Sequence, residues 1–161
     1  MDEILEILAN DARLSAEEIS RLTGKKAEDV KKAIKHYEQT GAIVKYKTLI
    51  NQELVRDAGT FVRALIEVSI VPQKNVGFDA IAERLYSFPE VTSCYLLSGS
   101  YDLLLVVEGD NLHTVSSFVS SKLAPMENVR RTTTHFLLKK YKEDGVILKQ
   151  KPKSKRLNIS Y

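Results

Sequence analysis

Three short stretches at the start of the chain repeat apolar residues at helical spacing. Ile4, Leu5, Ile7 and Leu8 share one broad side of a helix over about Asp2 to Asn10. Ser15-Ala16-Glu17-Glu18 reads as a capping box opening a second helix, with the Ser15 hydroxyl accepting from the Glu18 amide and the Glu18 carboxylate reaching back. Ile19 and Leu22 supply its apolar side, and Thr23-Gly24 stops it. In a third helix Val30, Ala33, Ile34 and Tyr37 fall at i, i+3, i+4 and i+7, and Gly41 ends it. Lys31, Lys32, Lys35 and His36 lie off that stripe and face outward. Two short helices joined by a glycine turn, the second with a cationic outer face, predict a helix-turn-helix shaped to enter a DNA major groove. Ile43 to Ile50 reads as β, the wing of a winged helix-turn-helix domain over residues 1–50. A core of about fifty residues is marginal, so this lobe is expected to lean on a partner.

Beyond a polar linker at 51–60 the period changes. Phe61 to Val71 alternates, with Val62, Ala64, Ile66, Val68 and Ile70 on one face and Arg63, Glu67 and Ser69 on the other. Phe78, Ile81, Ala82 and Leu85 return to helical spacing. Val91 to Ser98 and Leu103 to Glu108 are strand-like. Leu112, Val115, Phe118, Val119 and Leu123 mark a second helix stopped by Pro125, and Val129 to Lys139 is a fourth strand. The order β-α-β-β-α-β over 61–142 is the split βαβ arrangement, whose helices cover one sheet face and leave the other to a partner subunit. Asp144-Gly145 between apolar runs predicts a hairpin, so 143–161 comprises a hairpin strand and a basic tail expected to be mobile. The fold class expected is α+β: a winged helix-turn-helix followed by a ferredoxin-like βαββαβ domain with an antiparallel sheet.

Net charge is +3, but it is unevenly placed. Residues 1–24 sum to −4, 25–50 to +4, 51–138 to −3 and 139–161 to +6. A localised basic patch points to a polyanion more strongly than overall charge does. Lys25, Lys26, Lys31, Lys32 and Lys35, with Lys45 and Lys47 on the wing, are the residues that would neutralise phosphates of double-stranded DNA. A solvated helix face is the plainer reading of the same lysines. The one cysteine, Cys94, cannot close a disulfide within the chain and suits a reducing cytoplasm. No apolar run approaches the length of a membrane span, and Met1-Asp2-Glu3 lacks the cationic start of a signal peptide. His36, His113 and His135 fall on three different elements without metal-ligand spacing, and no G-x-S-x-G, Walker loop or G-x-G-x-x-G occurs. No metal or cofactor is therefore expected, and no enzymatic activity.

Four local patterns carry a resemblance: Ile7-Leu8-Ala9-Asn10-Asp11-Ala12-Arg13-Leu14-Ser15, Glu38-Gln39-Thr40-Gly41-Ala42-Ile43, Gly99-Ser100-Tyr101-Asp102 and Thr132-Thr133-Thr134-His135-Phe136-Leu137-Leu138-Lys139. In this order, on these elements, the chain resembles the Lrp/AsnC (leucine-responsive/asparagine-operon) family of transcription regulators over nearly its whole length. The resemblance implies a homo-oligomer (a dimer, and beyond it a tetramer or octamer) and an amino-acid effector held at a subunit contact. Toward that effector it implies Ser98, Gly99, Ser100, Tyr101 and Asp102, whose amides would hold a carboxylate and whose Asp102 would pair with an ammonium, with hydroxyls from Thr132, Thr133 and Thr134 on a neighbouring strand. An ordinary hairpin turn, with Asp102 bonding local amides, fits the same loop.

The chain also departs from the family. Lys26 stands where a Ser or Thr often caps the recognition helix, Glu28 and Asp29 occupy its first turn, and it carries no arginine. Two rival readings stay open: an enzyme on the same two-domain plan, like the sirohaem decarboxylases, and a ligand-sensing subunit with weakened DNA binding.

Overall fold

A computed structural model describes residues 2–55, 61–71 and 77–148 of the chain. They form two compact units, Met1–Ile50 and Asn51–Tyr161. The first holds α1 (Glu3–Asn10), α2 (Ala16–Thr23) and α3 (Ala27–Gln39). Each start has a physical cause. Asp2 caps α1 by accepting from the Ile4 amide at 2.8 Å. Ser15 and Glu18 form the reciprocal capping box, the Glu18 amide donating to Ser15 Oγ at 3.2 Å and the Ser15 amide to Glu18 Oε2 at 2.8 Å. Gly24 ends α2 at φ 70°, a left-handed value that suits glycine. Lys26 gives α3 no side-chain cap. Ile4, Leu8, Ile19 and Val30 are buried at the centre, flanked by half-buried Ile7, Leu14, Ala33, Ile34, Tyr37 and Ile43.

Two expectations for this unit need correction. Leu22 is 64% exposed, because on a helix this short Ile19 alone of the pair reaches the core. The wing is not a strand: residues 44–50 run without regular structure, and Val44 is 90% exposed. A β ladder needs a partner strand, and among the described residues this segment has none. Its link to the bundle is Tyr46, whose hydroxyl donates to Glu38 Oε1 at 3.0 Å.

In the second unit a short 3₁₀ turn at Gln52–Leu54 precedes the sheet; linker residues 56–60 lie outside the described part. The sheet is built from β1 (Val62–Ile70), β2 (Val91–Leu96), β3 (Leu103–Gly109) and β4 (Val129–Phe136), ordered β2-β3-β1-β4 with every pairing antiparallel. Helices α4 (Phe78–Tyr86) and α5 (Leu112–Phe118) cover one face. Ala64, Ile66, Val68 and Ile70 of β1 and Leu103, Leu105 and Val107 of β3 meet Ile81, Leu85, Val115, Phe118 and Leu123 there. After α5 one π turn (Val119–Leu123) follows, closed by the Ala124 amide on the Val119 carbonyl at 2.8 Å. It puts Leu123, five residues after Phe118, on the buried side, where an unbroken α-helix would turn Lys122 inward. The α+β architecture, with the helical bundle first and the ferredoxin-like antiparallel sheet second, is as the patterning predicted.

Fourth-strand pairing stops at Phe136, short of the expected Lys139. The chain then makes a small hairpin, β5 (Lys142–Glu143) and β6 (Val146–Ile147), around Asp144 at φ 47° and Gly145 at φ 80°. Two positive φ values in a row are what a two-residue turn demands of an Asp-Gly pair. The tail from 149 onward lies outside the described residues.

Candidate nucleic-acid interface and ligand loop

α3 presents Glu28, Lys31, Lys32, Lys35, His36 and Gln39 to solvent because Val30, Ala33, Ile34 and Tyr37 take the inner side. Not every lysine there is free. Lys31 Nζ sits 2.8 Å from Glu17 Oε1 on α2 and 3.8 Å from Glu28 Oε1. The hydrogen bond with Glu17 raises the Lys31 pKa and lowers that of Glu17, so both stay charged through neutrality. Lys25 Nζ approaches Glu3 at 3.7 Å. Among the described residues Lys26, Lys32, Lys35, Lys45 and Lys47 make no ion pair. Periodicity placed Lys31, Lys32 and Lys35 outward, but Glu17 and Glu3, which engage Lys31 and Lys25, come from other helices, which one stripe cannot show.

The second candidate is the loop between β2 and β3. Ser98, Gly99 and Ser100 are exposed, and Tyr101 and Asp102 are half-buried. Asp102 is knitted into β1: its Oδ2 accepts from the Ile70 amide at 2.7 Å, and its own amide donates to the Val68 carbonyl at 3.1 Å. The β1–β3 ladder ends at Val68 and Leu103, so the Ile70 amide, on the same edge of β1 as the Val68 carbonyl, lies just past it, and a side-chain acceptor takes the place of a strand partner. The threonines do not converge on this loop. They lie on β4, which neighbours β1 rather than β3, so β1 stands between them and the loop. Thr132 and Thr134, paired with Val68 and Ile66, share the helix-covered face; Thr133, paired with Glu67, shares the other.

Among the described residues no helix covers that other face. Leu65 stands opposite Val106, and Leu104 opposite Tyr95, in a centre of half-buried and exposed apolar side chains. Around it lie Arg63, Glu67, Glu108, Arg131 and His135, with His135 Nε2 3.1 Å from Glu67 Oε1. At one end Arg63 Nε donates to Glu108 Oε1 at 2.6 Å and Arg63 NH1 to Glu143 Oε1 at 2.9 Å, while Lys140 Nζ reaches both Glu143 oxygens at 2.8 and 2.6 Å. Lys140 first, then Arg63, holds the Glu143 carboxyl below the usual glutamate range. This network fastens the terminal hairpin to the sheet. Its partners are 45 and 80 residues from Arg63, a separation no local pattern reveals.

On the covered side, Lys122 Nζ binds Glu90 Oε1 and rests 5.5 Å from the Phe88 ring. That hydrogen bond lowers the Glu90 pKa. Cys94 packs against the core, and burial raises its thiol pKa, as suits an inert small side chain.

Comparison with known proteins places these features in a family. The Lrp/AsnC ligand binding domain matches residues 63–147. HTH-type transcriptional regulator YugG of Bacillus subtilis is 42% identical over 158 residues, which is 98% of this chain and 95% of that protein. HTH-type transcriptional regulator FL11 of Pyrococcus furiosus is 28% identical over 141 residues, 88% of this chain and 89% of that protein. Among solved structures, the transcriptional regulator NMB0573 of Neisseria meningitidis, in complex with L-Met, superposes with a TM-score of 0.71 at 27% identity, covering 89% of this chain and 93% of that one.

Proposed function

Because the chain belongs to the Lrp/AsnC family of transcription regulators, we propose that it is a cytoplasmic, homo-oligomeric regulator that binds double-stranded DNA through α3 and answers to an amino acid. The observation that carries this reading is the outer side of α3, where Lys32 and Lys35 are exposed and make no ion pair among the described residues, on a helix whose inner side is fixed by the bundle core. Phosphate neutralisation by Lys35, with Lys26, Lys45 and Lys47, supplies affinity; Lys31 and Lys25 serve first as ties between helices. Relatives named as regulators favour a binding function over catalysis.

Assembly uses the open sheet face. Leu65, Leu104, Val106 and Tyr95 are the row that needs cover, and each square ångström of apolar surface buried there contributes roughly 25 cal/mol. Leu65→Glu in the full chain should shift it to monomer in light scattering; an unchanged oligomer rejects this face. The effector is an α-amino acid, by kinship with a regulator captured with L-Met. The exposed amides of Ser98 to Ser100 take its carboxylate and Asp102 faces its ammonium, with Tyr101 beside them at a subunit contact; Thr132, Thr133 and Thr134, parted from the loop by β1, are left out of this pocket. Ligand then favours one oligomer geometry over another. A screen of the twenty amino acids against melting temperature and assembly state tests this reading. A response to at least one supports it, and no response to any removes the sensing role.

A further inference from the structure

On α3, at about 100° per residue, Lys35, Glu28, Gln39 and Lys32 fall within about 60° of one another. They stand opposite the stripe of Val30, Ala33, Ile34 and Tyr37 that faces the core. This row is the part of the helix farthest from the rest of the bundle. Lys31 lies on its flank, drawn toward Glu17. Glu28 is therefore central to the outward face, with its side chain 78% exposed. The nearest cation, Lys31, is 3.8 Å away and already shared with Glu17 at 2.8 Å.

The N-terminal residues of a recognition helix meet base edges. A carboxylate accepts hydrogen bonds and donates none, so at a phosphate it repels, and in the major groove it fits the amino group of cytosine. Lys32 lies one turn on, about 6 Å along the axis, or roughly two base steps. A lysine donates only, and its counterpart there is O6 and N7 of guanine. We propose that Glu28 and Lys32 set the sequence preference, Glu28 selecting a cytosine and Lys32 a guanine about two base pairs away in each half-site. This inference rests on the DNA-binding reading above. Glu28 lowers affinity for duplexes that do not meet it with an amino group, so it gains selectivity at the expense of general affinity.

The test uses the full-length protein and a library of random duplexes, from which wild type first selects a site. Affinities of wild type, Glu28→Gln and Lys32→Ala are then measured for that site and for each single-base substitution of it. Wild type should discriminate one cytosine per half-site by about ten- to hundredfold. Glu28→Gln should erase that preference, or move it to adenine, which a glutamine amide pairs bidentately, while leaving the other positions as they were. Lys32→Ala should relax the guanine position. If Glu28→Gln tightens binding to every duplex by one common factor, with preferences intact, Glu28 acts on the helix dipole and general charge, and the assignment falls. If wild type selects no site and binds no duplex in a salt-dependent way, the DNA-binding reading itself fails, a result distinct from the former.

Discussion

Replacing Asp102 by alanine should destabilise the sheet unit before it affects any ligand. The carboxylate accepts from the Ile70 amide at 2.7 Å, and Ile70 is a buried residue at the point where β1 slips against β4. Alanine leaves that amide without an acceptor and removes a hydrogen bond to a charged group, together costing about 1.5–3 kcal/mol. At about 4 °C per kcal/mol for a unit of this size, the melting temperature should fall by roughly 6–12 °C. Asparagine keeps one acceptor oxygen and should lose about a third of that. Thermal unfolding of the full chain gives the size of the effect, and hydrogen exchange at the Ile70 amide gives its location: exchange there should accelerate more than at Ile66. A change in stability below about 0.5 kcal/mol for Asp102→Ala, with Ile70 still protected, would refute the capping role. Asp102→Asn is consequently the better probe of effector binding, since it alters charge while largely sparing the strand.

Other outcomes follow from the same geometry. Ile66→Ala, at a side chain fully buried beneath the helices, should cost about 2–5 kcal/mol by equilibrium denaturation. Lys35→Ala should flatten the salt dependence of DNA binding by about 0.9 in log-log slope, whereas Lys31→Ala should change that slope less, because Lys31 is already committed to Glu17. Glu143 has its folded pKa depressed by Lys140 and Arg63, so its stabilisation is present above the ordinary glutamate pKa and lost as pH falls through the lowered value. Glu143→Gln should therefore lose stability at neutral pH and show a shallower acid-side decline than wild type, measured by melting temperature against pH.

Element identity was legible wherever burial imposes a period. The capping box at Ser15, the alternation of β1 and the Asp-Gly turn all depend on neighbours within a few residues, and each appears where the pattern put it. What escaped depends on distant partners. Residues 43–50 alternate well enough to resemble a strand, yet a strand exists through its ladder, and the ladder is missing from this segment among the described residues. Leu22 has a helical place but no core to reach. In the loop between β2 and β3, the residue types were readable while their commitments were not: the bond from Ile70 to Asp102 spans 32 residues, and the strand order that parts the threonines from the loop is a property of the whole sheet. Likewise the lysine stripe was visible, but Glu17 and Glu3 had to fold against it before Lys31 and Lys25 could be told from Lys32 and Lys35.

The most direct test of the account is the affinity of the full chain for duplex DNA, measured across salt from about 50 to 200 mM. Five lysines of the first unit make no ion pair among the described residues, and with Lys32 committed to a base edge the other four should give log affinity a slope against log salt approaching about −3.6 per bound chain. Lys26→Ala and Lys35→Ala together should reduce that slope by about two. A flat titration, or a slope that the double substitution leaves unchanged, contradicts DNA recognition through α3.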